Sequence, residues 1–238
     1  MLACGISFGV SGIVAASPDA VRLRAARSTV HGAVRLTRAA WSKLAAPIAP
    51  APKVLDLALS AASCAIGSGL VQTQPKTLTV IDYSLPSAER RLWVLDLATG
   101  ETLRRELVAH GQGSGGNVAT VFSNAPDSHQ SSLGLFVTAD TYVGRNGYSL
   151  RLDGLDAGFN DRARERAIVI HGAPYVSEDV VKAQGRLGRS WGCPALGEDV
   201  ARDVIDSIKG GNLVFAYYPD RAWLNGSPLL RNCTTDKS

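Results

Sequence analysis

Residues 166–173 read RAIVIHGA: four apolar residues run unbroken into a histidine and a glycine. A β-branched run of that length predicts a strand whose end carries His171 to the rim of a sheet. The same signal recurs along the chain in TLTVIDY, LGLFVTAD, YSLRLDG and NLVFAYY. RLWVLDL and ETLRRELVAHG, joined through ATG, read as a hairpin with a glycine-containing turn. Helical spacing is confined to short pieces. Residues 52–65 place apolar side chains at 54, 55, 58, 59 and 62, with Pro52 at the start and Gly67 as a stop. Ser177 followed by Glu178 and Asp179 predicts a capped helix to about Gln184. Residues 198–209 align Val200, Val204, Ile205 and Ile208 on one face. The fold class is therefore mainly β with a few short helices, one of them N-terminal.

The 238 residues are 45% hydrophobic and 19% charged, an ordinary globular balance with room for a sizeable core. The net charge of +4 is unevenly distributed. Six basic residues against Asp19 give residues 1–50 a charge of +5, which leaves −1 for the rest. A nucleic-acid binder would carry its basic stripe on the folded body, so that class is set aside. Residues 2–16 are small and apolar, and AAS before Pro18 resembles the later part of an export signal without a positive start. The expectation is an exported, cell-envelope (periplasmic) protein, with an N-terminal tether to the membrane as a further possibility. AAPIAPAPK, residues 45–53, is a Pro/Ala linker. Four segments follow: leader and basic linker 1–50, helix 51–70, main domain 71–222 and tail 223–238.

The cysteines lie at 4, 64, 193 and 233 without a CxxC pair, which excludes zinc-ribbon and thioredoxin-like spacing. Cys64 and Cys233 could pair in an oxidising compartment. Cys193 stands apart. In GRSWGCPAL, residues 188–196, it is flanked by Gly192 and Pro194, the strongest breakers of regular structure. His171 lies 22 residues upstream, far enough for the chain to turn back. An imidazole can activate a thiol, and backbone N–H groups of a glycine turn can stabilise a thiolate and then an oxyanion. The structural alternatives are a hydrogen-bonded rim histidine and a small buried cysteine. GQGSGG, residues 111–116, satisfies GxGxxG but has no βαβ context, so a flexible loop is expected and no dinucleotide site. His110 and His129 lack zinc spacing. No metal and no cofactor are called for.

IHGA followed by GRSWGCPAL resembles the YkuD-type L,D-transpeptidases, in the branch of murein L,D-transpeptidase catalytic domain-like proteins. VAHGQGSG, FSN, SSLGLF, YSLRLDGLD and GFNDRARERAIVIHGA extend that resemblance over residues 75–218. It implies a YkuD-like β-sandwich or mixed-sheet catalytic domain. It also implies Cys193 as nucleophile, His171 as base oriented by the Gly172 carbonyl, and the N–H groups of Gly192 and Cys193 as oxyanion hole. The implied substrates are peptidoglycan stem peptides, as donor and as acceptor, with carbapenems as inhibitors. Many members carry histidine before the Gly-Cys pair and arginine soon after it. Here Trp191 stands first, Pro194 and Ala195 follow, and the arginine role falls to Arg186 or Arg189. Arg189, Ser190 and Trp191 would line the cleft, and Ser131, Ser132, Tyr142 and Asn160 would touch substrate, with loop capping as the alternative for each. Two rival functions share these residues: a hydrolytic L,D-carboxypeptidase, and a non-catalytic peptidoglycan-binding module.

Overall fold

The computed structural model describes residues 49–231. Helix α1 (Pro52–Gly67) starts on proline, whose missing N–H costs nothing in a first turn. It buries Val54, Leu55, Ala58, Leu59 and Ala62. The predicted hairpin is β2 (Arg90–Asp96) and β3 (Thr102–Leu107). Its turn is closed by the Asp96 carboxylate, which accepts from the Ala98 and Thr99 N–H groups at 2.8 Å, and by Gly100 at φ 78°. The remaining strands are β1 (Thr77–Asp82), β4 (Gly134–Gly144), β5 (Gly147–Gly154), β6 (Val169–Gly172), β7 (Ala195–Leu196) and β8 (Leu213–Tyr217).

All eight strands form one mixed sheet in the order β3-β2-β1-β8-β4-β5-β6-β7. The pairs β1/β8 and β6/β7 are parallel. The sheet curls until its ends meet: just beyond β3, the Ala109 N–H donates to the Ala195 carbonyl of β7 at 2.9 Å. The result is barrel-like, and the predicted mainly-β class with short helices holds.

Helix α2 (Glu178–Gln184) is capped by the Ser177 hydroxyl, which accepts from the Val180 N–H at 3.2 Å, and stops at left-handed Gly185. Helix α3 (Glu198–Ile208) buries Ala201, Val204, Ile205 and Ile208. Ala201 joins the expected face, while Val200 packs against the core at its partly exposed edge. The reason lies on β6, where a Cβ at Gly172 would stand 3.1 Å from the Ala201 Cβ, so helix and strand meet through two small residues.

One segment boundary differs in the structure. Residues 223–231 are no tail: α4 (Arg221–Gly226) and α5 (Pro228–Arg231) pack on the domain. Trp223 is 1% exposed, and its indole N–H donates to the Asp156 carboxylate at 2.8 Å. The N-terminal helix lies within the expected 51–70 segment, and its apolar face joins the same core as Trp223, Leu229 and the sheet. Cys64 is disulfide-bonded. Cys233, the partner the sequence offers it, lies outside the described residues, as do the leader and basic linker.

Candidate active site

The turn 188–194 is built around Ser190. Its hydroxyl donates to the Cys193 carbonyl at 2.6 Å and accepts from the Gly192 N–H at 3.1 Å. Gly192 holds φ 117°, a region that L side chains avoid. Loop 109–116 clamps this turn from outside. The Ser190 N–H donates to the His110 carbonyl at 3.0 Å, and the Gln112 N–H donates to the Ser190 carbonyl at 2.8 Å. The expected flexible loop is therefore a packed one, containing a 3-10 turn over Gln112–Ser114 with Ser114 buried. A Cβ at Gly111 would come within 2.3 Å of the His129 carbonyl oxygen and 2.8 Å of the Gly192 Cα. Only glycine fits there.

Parallel pairing sets His171 opposite Ala195, which brings the Cys193 turn alongside the segment leading into β6. That segment surrounds the sulfur. The Val169 N–H donates to Sγ at 3.5 Å, and Sγ–H points to the Ala167 carbonyl at 3.7 Å. Ala167 itself sits at φ 52°. Burial pushes the Cys193 thiol up, against the Val169 N–H and the Arg166 charge, which pull it down. His171 is 4% exposed, and burial lowers its pKa, with the bond to Gly172 opposing. The resting pair is thus a thiol and a neutral imidazole. His171 Nδ1 lies 2.9 Å from the Gly172 carbonyl oxygen. A carbonyl can only accept, so Nδ1 carries the proton and Nε2 is left as the basic nitrogen. No hydrogen bond joins Sγ to His171 among the described residues. Such bonds commonly tighten only when substrate closes the site.

The other expected site residues divide. Trp191 is 66% exposed and stacks on the His129 ring, with centroids 5.0 Å apart, beside Gly192 and Cys193. Arg189 lies on the surface and donates to the Gly115 carbonyl at 2.9 Å. Tyr142 is partly exposed on β4 beneath the Arg151 guanidinium, two strands from His171. Four are corrected. Ser190 is buried, with its hydroxyl spent inside the turn. Ser131 and Ser132 are buried as well: Ser131 donates to the Gly192 carbonyl, and Ser132 to the Ser123 carbonyl. Asn160 is 0% exposed, its amide accepting from the Asp156 N–H and donating to the Leu135 carbonyl. The Gly192 N–H bonds Ser190, so of the two expected backbone donors the Cys193 N–H is the one left. Arg186 folds back onto the Leu187 carbonyl.

The arginine beside the thiol is Arg166, which sequence reasoning missed. Its guanidinium donates to the Ser123 and Gln130 carbonyls at 2.7 Å and to the Ser128 and Ser132 hydroxyls. On the other side, Tyr83 is fully buried, and burial raises its pKa to about 12. The Arg91 guanidinium lies over its ring and 2.8 Å from His110 Nδ1. Burial and the Arg91 charge lower the His110 pKa to about 4. Among the described residues no cluster of His, Cys, Asp and Glu could hold a metal ion.

A family model described as the L,D-transpeptidase catalytic domain matches residues 49–217. No protein of curated function matches. Solved structures similar to this chain include an L,D-transpeptidase from Mycobacterium smegmatis, 17% identical over 60% of this chain and 59% of that one, with a TM-score of 0.38. Another is an L,D-transpeptidase from Mycobacterium tuberculosis H37Rv, 16% identical over 61% and 59%, with a TM-score of 0.37. L,D-transpeptidase 3 from Mycobacterium tuberculosis, in complex with a faropenem-derived adduct, is 15% identical over 61% and 62%, with a TM-score of 0.36. The match spans about three fifths of each of these structures.

Proposed function

This chain belongs to the L,D-transpeptidase catalytic-domain family, and we propose that it is a cysteine acyltransferase that remodels peptidoglycan stem peptides through a thioester on Cys193. The observation that carries the reading is the 2.9 Å approach of His171 Nδ1 to the Gly172 carbonyl oxygen. With Nδ1–H held by Gly172, Nε2 is free to take the thiol proton. Sγ then attacks the carbonyl of the stem's diaminopimelate, and the Cys193 N–H faces the developing oxyanion. The C–N bond to D-alanine breaks as the imidazolium returns its proton to the departing amine. An amine of a second stem attacks the thioester, gives a proton to Nε2 and displaces the thiolate, which completes a cross-link. Water in place of the amine yields the L,D-carboxypeptidase outcome from the same intermediate. Both charges arise only in the reaction, because burial favours the neutral thiol and the neutral imidazole at rest.

The first test is intact-protein mass spectrometry after incubation with a carbapenem. One adduct on the wild type and none on Cys193→Ala is expected. An unmodified, folded wild type refutes an acylatable Cys193 and favours the binding module. Disaccharide-tetrapeptide donors with and without an amine acceptor then separate transfer from hydrolysis. Export from the cytoplasm belongs to the same proposal, and fractionation of cells making the full chain tests it.

A further inference from the structure

We propose that Arg166 is a positioning residue that supplies the counter-charge for the Cys193 sulfur, acting across space and not by gripping substrate; this rests on the reading of Cys193 as the reactive thiol. The geometry points there in three steps. First, Arg166 opens the segment whose next residues meet the sulfur, Ala167 through its carbonyl and Val169 through its N–H. Second, the guanidinium lies against the nucleophile turn: a Cβ at Gly192 would stand 3.5 Å from Arg166 Nη2 and 2.8 Å from the Gln130 carbonyl oxygen that Nη2 holds. Third, the four terminal N–H donors are used. Nη1 bonds the Ser123 carbonyl and the Ser132 hydroxyl, while Nη2 bonds the Ser128 hydroxyl and the Gln130 carbonyl. No fork remains for the bidentate grip of a substrate carboxylate. All four partners are neutral, so the positive charge is hydrogen-bonded but not cancelled.

The neighbouring groups leave that charge unopposed. Arg162 pairs with Glu165, and Arg164 with Asp153, both on the surface. Arg189 is bound at Gly115. Tyr83 and Tyr175 also face the sulfur, but burial holds both at about 12, so they stay neutral in the working range. His171 is held neutral by burial. Arginine keeps its charge at such a site where lysine would not. The Arg166 charge is also the electrostatic influence that draws the thiol back down against burial.

The test reads Cys193 in the full chain, by peptide mass spectrometry of iodoacetamide alkylation rates across pH. Arg166→Met should raise the alkylation midpoint by about one pH unit, the low end for a lost opposite charge nearby. Ser128→Ala removes one anchor of the loop, keeps the charge and should leave the midpoint where it was. An unshifted midpoint in folded Arg166→Met overturns the proposal. So does an equal rise in both variants, which would make the effect one of loop geometry. A wild-type readout stands if Arg166→Met does not fold. Relative to glutathione, Cys193 should prefer anionic iodoacetate over neutral iodoacetamide, and salt should erase the preference; no preference at low salt overturns the proposal. A chain that shows these shifts yet processes no stem peptide would sink the transpeptidase reading and leave the Arg166 assignment standing.

Discussion

A single methyl group at Gly111 should disable the site from a residue that carries no chemistry. Gly111 has φ −67° and ψ 142°, angles that alanine adopts freely, so Gly111→Ala tests space alone. The new Cβ would stand 2.3 Å from the His129 carbonyl oxygen and 2.8 Å from the Gly192 Cα. Real Cβ contacts stay above 3.0 Å, so backbone must give by at least about 0.7 Å. Both obstacles are backbone, and one belongs to the turn that aims Cys193. Overpacking of this kind costs about 1–3 kcal/mol, or roughly 2–4 °C of Tm per kcal/mol at this chain length. Misplacing a nucleophile by about 1 Å costs on the order of 100-fold in rate. The assay is the rate of carbapenem acylation followed by intact mass, beside thermal unfolding. Gly116→Ala is the control, since nothing lies within 4 Å of a Cβ there. If Gly111→Ala acylates and melts like the control, loop 109–116 does not press on the Cys193 turn and the reasoning fails.

Ser190→Ala should slow acylation while costing about 1–2 kcal/mol of stability, because the hydroxyl joins the Gly192 N–H to the Cys193 carbonyl; an unchanged acylation rate would show that the turn holds its shape without it. Trp223→Ala should cost about 3–5 kcal/mol in urea denaturation, and removal of residues 223–238 at least as much, whereas a tail would be dispensable. His110 accepts from Arg91 at Nδ1 and has a folded pKa of about 4, below its unfolded value. The unfolded chain therefore binds a proton that the native state refuses, and stability falls as pH drops from about 6.5 to 4, by up to about 3 kcal/mol. His110→Gln should flatten that part of the profile. Identical pH slopes for the two proteins would mean that His110 is not buried neutral.

The elements legible in the sequence are those whose signal is local. Pro52 and the apolar spacing fix α1, Ser177 and Gly185 bracket α2, and Gly100 turns the β2–β3 hairpin. Loop 111–116 is misread because its glycines resemble those of a free loop. Gly111 and Gly113 are small so that other backbone can pass, a demand made by Gly192, His129 and Ser128 from farther along the chain. Asn160 and Ser190 carry the polar side chains of substrate-binding residues, but their partners are backbone groups: Ser190 bonds its own turn, and Asn160 ties its loop to Leu135 of β4. Arg166 is hidden among alternating arginines. Arg162 and Arg164 find Glu165 and Asp153 at the surface, and the third turns inward. Nothing in the string RARER distinguishes them. The family motif singles out Cys193 and His171, whereas the groups that set their charge come from packing.

The position of β8 also dictates when this thiol can acquire its surroundings. Strands β1 and β4 are not neighbours; each pairs with β8, made from residues 213–217. A growing chain therefore presents Cys193 before the middle of its sheet has been synthesised. Without β8, the hairpin β2–β3 with β1 and the block β4–β7 are two half-sheets that share no strand. A chain cut short before residue 213 carries the cysteine but lacks the centre of the sheet to whose far strands His171 and Arg166 are attached.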